Sequence, residues 1–167
     1  PLYYNHPQTG RPAAPDYIAP ALKDVKSMPE NVRYASHYID SDPFPLFPFG
    51  YGLSYAKFGY EDLDLSSRKL SKDGQITVKV RVTNSGKHSG TEVVQLYVRD
   101  LVASVVRPVR ELKDFKRGPS KVVEFVLSAD QLGFYNEEEE FLIEPGKFQL
   151  WVGGDSRADL TARFQLN

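Results

Sequence analysis

A strict two-residue alternation runs through the second half of the chain, and it leaves few folds open. From Gly74 to Thr83 (GQITVKVRVT), Ile76, Val78, Val80 and Val82 share one face of an extended backbone, and Thr77, Lys79, Arg81 and Thr83 share the other. Successive side chains of a strand point to opposite faces, so the pattern predicts a half-buried antiparallel strand. The same period returns in Thr91–Arg99, where Val94, Leu96 and Val98 oppose Val93, Gln95 and Tyr97. It returns in Lys121–Leu127 through Val123, Phe125 and Leu127, and in Lys147–Val152 through Phe148, Leu150 and Val152. Leu160, Ala162, Phe164 and Leu166 mark a last strand, Phe58–Leu65 a first, and Val109–Phe115 a short one between. Asn84-Ser85-Gly86 and Glu144-Pro145-Gly146 supply turn chemistry between these runs. No long amphipathic helix competes with them.

About seven short strands separated by turns predict an all-β fold, an immunoglobulin-like or fibronectin type III-like β-sandwich over residues 57–167. Residues 1–56 follow different rules. Nine of the twelve prolines lie at or before Pro48, and no helical or strand period is sustained there, which predicts an irregular linker. Only Ala19–Lys26 has the makings of a short helix, with Pro20 in its first turn. Within the linker, Asp42–Tyr55 (DPFPLFPFGYGLSY) alternates prolines with phenylalanines and ends in Gly50-Tyr51-Gly52. Proline fixes φ, removes an N–H and biases the residue before it towards extended geometry, so this strap is neither helix nor central strand. It is also too aromatic for a solvated tail. Phe44, Phe47, Phe49, Tyr51 and Tyr55 are therefore expected to pack between domains.

Net charge is −1, which gives no electrostatic footprint for nucleic acid or an anionic membrane. No apolar run reaches membrane-spanning length. Cysteine is absent, so disulfides, thiolate catalysis and thiolate metal sites are excluded. The chain opens at Pro1 with neither an initiator methionine nor a signal sequence, and we read it as part of a larger polypeptide.

Candidate chemistry is sparse. His6, His37 and His88 lie far apart and show no metal-ligand spacing. Glu137–Glu140 reads as a solvated acidic run before it reads as a calcium site. Tyr51, Tyr55, Tyr97 and Trp151 have the flat faces on which sugar rings stack, but packing within the linker and sandwich is the favoured role. Trp151 alternates with core-facing Leu150 and Val152, which puts it on the outer face, open to solvent, a neighbouring domain or a partner.

Several motifs occur in a telling order: Pro1–Pro12 (PLYYNHPQTGRP), Tyr34–Asp40 (YASHYID), Leu46–Tyr55 (LFPFGYGLSY), Val78–Asn84 (VKVRVTN) and Gly90–Asp100 (GTEVVQLYVRD). Arg107–Phe115 (RPVRELKDF), Leu132–Asn136 and Glu144–Val152 follow. Together they resemble the C-terminal end of the glycoside hydrolase family 3 β-glucosidases, particularly the bacterial periplasmic kind, over nearly the whole chain. The resemblance implies a parent that releases terminal glucose from β-linked oligosaccharides through a covalent glycosyl-enzyme intermediate, with no metal or organic cofactor. It implies that the nucleophilic aspartate and the acid/base residue lie in upstream domains, on motifs absent here, so no catalytic residue is assigned to this chain. The implied partners are those upstream catalytic domains and a β-glucoside substrate. The implied location is periplasmic or secreted, and a homodimer is compatible with it. Asp100–Arg110 (DLVASVVRPVR) is long for a strand connection, and its Arg107 and Arg110 are expected to border the sugar site.

Three departures from the family pattern stand out. Lys116–Ser120 is abruptly short, and residues omitted from this stretch are the favoured explanation. His37 stands where arginine is expected. Phe148 occupies the apparent place of a corner tyrosine and has no hydroxyl to offer. A non-catalytic carbohydrate-binding module and a surface interaction domain are the other readings. The first would need a row of exposed aromatics on one sheet face. The second would fit tandem repeats, and the chain has none.

Overall fold

The computed structural model describes residues 47–105, 107–119 and 121–167. Gly50–Asn167 forms one compact unit, distinct from Pro1–Phe49. Phe44, His6, His37 and the short helix expected at Ala19–Lys26 lie outside the described residues.

Among the described residues, seven strands of seven residues or more appear, in the places the alternation marks: β1 (Phe58–Leu65), β3 (Gln75–Asn84), β4 (Glu92–Asp100), β5 (Glu111–Gly118), β6 (Lys121–Ser128), β9 (Gly146–Gly153) and β10 (Leu160–Leu166). Three two-residue strands join them: β2 (Lys69–Leu70), β7 (Phe134–Tyr135) and β8 (Phe141–Leu142). One sheet runs β1-β3-β6 and the other β2-β10-β9-β4-β5, while β7 and β8 make a small hairpin. All pairings are antiparallel except β2 with β10. The β-sandwich expected from the sequence is the observed fold.

The core follows from period two. Ile76, Val78, Val80 and Val82 of β3 meet Val123, Phe125 and Leu127 of β6 and, from the other sheet, Val94, Leu96, Val98, Phe148, Leu150, Val152, Phe164 and Leu166. Phe148 and Phe164 face each other in register across β9 and β10, with ring planes 16° apart and centroids 5.3 Å apart. Phe148 thus spends its ring on the core.

The first strand shows how a local irregularity preserves this pattern. Its inward residues are Phe58, Tyr60, Leu63 and Leu65, so one interval is three residues instead of two. Between Glu61 and Asp64 the register slips, and Asp62 takes φ 53°. The extra residue is a β-bulge that returns Leu63 to the core side. An aspartate tolerates the left-handed region better than a branched residue would, and its Oδ2 accepts a 2.7 Å hydrogen bond from Arg81 Nε. β5 ends at Gly118 in one sheet and β6 begins at Lys121 in the other.

Candidate functional site

The outer face of the five-stranded sheet carries the most elaborate set of polar and aromatic side chains among the described residues. β4 alternates as expected, with Val94, Leu96 and Val98 inward. Yet Gln95 and Tyr97 on its opposite face are also buried, and so is Trp151 of β9, which pairs in register with Tyr97. The alternation identifies their face correctly. It does not reveal that other segments of the chain cover that face.

A buried amide must find partners, since leaving one unpaired costs about 1–3 kcal/mol. Gln95, only 4% exposed, uses its Nε2 to donate to Gly50 O at 3.0 Å and to Gly154 O at 2.5 Å, while the Tyr97 hydroxyl donates to its Oε1. Burial pushes the Tyr97 hydroxyl well above the usual phenol range, so it stays a donor. Gly50 has φ +80°, a conformation that favours glycine. A Cβ there would also lie 2.0 Å from Gln95 Oε1. Next to it, Arg157 sets its guanidinium 5.9 Å from the Tyr51 ring centroid and donates from Nη2 to Asp155 Oδ2 at 3.1 Å.

Trp151 was expected to meet solvent, another domain or a partner. It is instead capped by its own chain: the Arg110 guanidinium lies 4.4 Å from its ring centroid. Arg110 Nη1 donates to Ser156 O at 2.5 Å and to Ala158 O at 2.6 Å. Burial lowers the Arg110 pKa, with the nearby Tyr97, Asp155 and Asp159 working the other way.

Arg107, the other arginine expected at a sugar site, is also engaged within the domain. Its Nε and Nη2 donate to Glu111 Oε1 and Oε2 at 3.2 and 2.8 Å, and its Nη1 donates to Leu132 O at 2.9 Å. Asp100 Oδ2 lies 3.8 Å from Nη1, and the Phe134 ring lies 5.2 Å from the guanidinium carbon. The side chain is 9% exposed. Lys113 Nζ meets Glu111 Oε2 at 2.6 Å. Burial raises the Asp100 pKa despite the Val102 amide and Arg107. At Glu111 burial works upward too, but hydrogen bonds from Arg107 and Lys113 outweigh it and the net shift is down. Between the two arginines and Asp100, the loop tip projects, with Val102 84% exposed.

Of the aromatic strap, Phe47 and Tyr55 are exposed, Tyr51 is partly exposed and Phe49 is intermediate. His88 packs edge-on to Tyr55, with centroids 6.5 Å apart. Glu137–Glu140 forms the exposed turn of the β7–β8 hairpin, with Asn136 Oδ1 accepting from the Glu140 amide at 2.8 Å. Among the described residues no group of three or more His, Cys, Asp or Glu is placed to hold a metal ion. A half-open cleft of about 380 Å³ is lined by Leu63, Asp64, Leu65, Arg68, Gln149, Thr161, Ala162 and Arg163. It offers one carboxyl group, Asp64, where glycoside hydrolysis uses two.

The family model for the fibronectin type III-like domain matches residues 92–156, the stretch from β4 to the β9–β10 turn that builds the outer face. The chain carries a fibronectin type III-like domain. The chain is also similar to part of several β-glucosidases and of a β-xylosidase. A periplasmic β-glucosidase of Salmonella typhimurium is 39% identical over 171 residues, covering 99% of this chain and 21% of the relative. A β-xylosidase of Formosa agariphila is 47% identical over 127 residues, covering 73% of this chain and 18% of the relative. The crystal structure of the Listeria innocua β-glucosidase in complex with glucose superposes with a TM-score of 0.80 at 34% identity, covering 99% of this chain and 22% of that one. The chain therefore spans about a fifth of the length of the relatives it matches.

Sequence reasoning missed Gln95, Gly154, Asp155 and Arg157. One signal for Gln95 was present: a lone amide inside the apolar run Val93–Val98. The others sit in one turn, where Asp155 holds Arg157 locally while Gly154 and Arg157 meet Gln95 and Tyr51 far away in sequence.

Proposed function

We propose that this chain is the non-catalytic C-terminal part of a retaining β-glucosidase, in which the fibronectin type III-like domain buttresses upstream catalytic domains. The observation that carries the reading is similarity over 99% of the chain to β-glucosidases roughly five times its length. The parent's substrate would be a β-linked glucoside. Because a β-xylosidase is among the relatives, the test should offer both sugars. Aryl β-glucoside and aryl β-xyloside turnover is measured for this chain alone and for the full-length protein. Turnover only by the full-length protein, and faster on the glucoside, is the expected result. Turnover by the isolated chain would overturn the non-catalytic reading.

The aromatic strap supports the buttress role. Tyr55 is 94% exposed and Leu53 89%, apolar surface that upstream domains would cover. Phe44, Phe47, Phe49 and Tyr51 belong to the same proposed packing set. The periplasmic relative supports a periplasmic or secreted location for the parent.

The loop from Asp100 to Arg110 is proposed to border the sugar site through its tip around Val102, with Arg107 and Arg110 bracing the loop. In the full-length protein, Val102→Asp should raise the Michaelis constant with little loss of stability. An unchanged Michaelis constant and chain-length preference in both Val102→Asp and Arg107→Ala would remove the loop from the site.

A further inference from the structure

We propose that Gln95 is a latch that fixes where the strap enters the sandwich. Gln95 lies on β4, flanked on both sides in the five-stranded sheet, so its backbone is among the best-held in the domain. Its side-chain amide is aimed by the Tyr97 hydroxyl, which takes Oε1 and leaves both Nε2 hydrogens for carbonyls. Those carbonyls belong to Gly50 and Gly154, 45 and 59 positions away.

Both acceptors are glycines where a side chain would collide. A Cβ on Gly50 would lie 2.0 Å from Gln95 Oε1, and one on Gly154 would lie 2.7 Å from Glu92 Oε1 and 3.0 Å from the Tyr60 hydroxyl. The amide therefore sits where two backbones come close to the sheet, and a single side chain holds both. The β9–β10 turn grips the same segment a second time through Arg157 on Tyr51, the residue after Gly50. Beyond this point a Cβ on Gly52 would meet nothing within 4 Å and Leu53 is exposed. The latch ties Gly50-Tyr51, where the strap meets the sandwich, to the rigid middle of the sheet.

The test reads position directly. The chain has no cysteine, so nitroxides placed at Leu53→Cys and Glu124→Cys report one distance between the strap and β6. Glu124 is exposed, and its ion pair with Lys79 is a surface one of little weight. With Gln95 intact, double electron–electron resonance should give one narrow distance distribution. Gln95→Leu, Tyr97→Phe and Gly50→Ala should each broaden it roughly twofold or more by local release of the strap, with the sandwich intact by near-ultraviolet circular dichroism. Gln149→Leu, on neighbouring β9 with its amide bonded only locally to Thr161, should leave it unchanged.

If Gln95→Leu does not fold, Tyr97→Phe and Gly50→Ala decide. An unchanged width in the folded variants, or equal broadening in Gln149→Leu, would overturn the latch. The readout involves no catalysis, so the latch and the glycosidase reading fail separately.

Discussion

The guanidinium of Arg110 lies face-on to Trp151, 4.4 Å from the ring centroid, and the two shield each other from solvent. The arrangement binds the start of β5 to the β9–β10 turn, because the same guanidinium holds the carbonyls of Ser156 and Ala158. Arg110→Ala should cost about 2–4 kcal/mol, since it removes a desolvated cation–π contact and strands two carbonyls. Arg110→Lys should fall between, keeping the charge but losing the planar fork. Trp151 is the sole tryptophan, so its emission reports the uncovering without ambiguity. A red shift in Arg110→Ala at zero denaturant, with a lowered urea midpoint, is expected. An unmoved emission maximum in a folded variant would show that Arg110 does not cover the ring.

Gly50 and Gly52 flank Tyr51 and look equivalent in sequence, but their backbones differ. Gly50 combines φ +80° with the Gln95 amide at the site of any side chain, whereas a Cβ on Gly52 meets open space. Gly50→Ala should destabilise by about 2–4 kcal/mol, from left-handed strain plus displacement of the amide. Gly52→Ala should be neutral or stabilising by up to about 1 kcal/mol, through reduced freedom of the unfolded chain. Urea unfolding of the two variants side by side checks this, and equal losses would contradict it.

How much of this was legible in the sequence depends on the range of the interaction. Period two places Val78, Phe125, Phe148 and Phe164 on the inward faces of their strands, because strand geometry turns sequence parity into a face; which residue meets which is set by the register of the sheets. It misses the bulge at Asp62, although the three-residue gap between Tyr60 and Leu63 contained the signal. It also cannot tell a solvated outer face from one covered by a distant segment. Gln95, Tyr97 and Trp151 are buried by residues 45 or more positions from Gln95 and by Arg110, and no local pattern encodes that. Arg107 and Arg110 drew attention as charges in a long loop. Both guanidinium groups engage carbonyls or carboxylates of their own domain, which only the fold could reveal.

Phe148 stacks on Phe164 at the place where a corner tyrosine was sought. The position is fully buried, so Phe148→Tyr should cost about 1–3 kcal/mol for a hydroxyl with no partner prepared for it. Phe164→Ala should cost about 3–5 kcal/mol through lost transfer energy and a cavity. Thermal and urea midpoints measure both. A stabilised Phe148→Tyr variant would mean that a buried acceptor is within reach of the added hydroxyl.

Acid should act on the Asp100–Arg107–Glu111 cluster through two carboxyl groups whose pKa shifts run in opposite directions. Hydrogen bonds from Arg107 and Lys113 outweigh burial at Glu111, so its folded pKa is below its unfolded one. Its contribution is complete above the unfolded value and is lost as pH falls through the folded one. At Asp100 burial dominates and the folded pKa is raised, so the native state holds that proton more tightly. Its ionisation therefore removes stability as pH rises from the unfolded value through the folded one. Glu111→Gln should lower the urea midpoint near neutral pH and flatten the acid limb. Asp100→Asn should raise the neutral midpoint. Both variants should converge on the unsubstituted chain once pH has fallen below the lowered folded pKa of Glu111, where both carboxyl groups are protonated. A Glu111→Gln profile parallel to that of the unsubstituted chain would show that Arg107 and Lys113 do not hold the Glu111 charge.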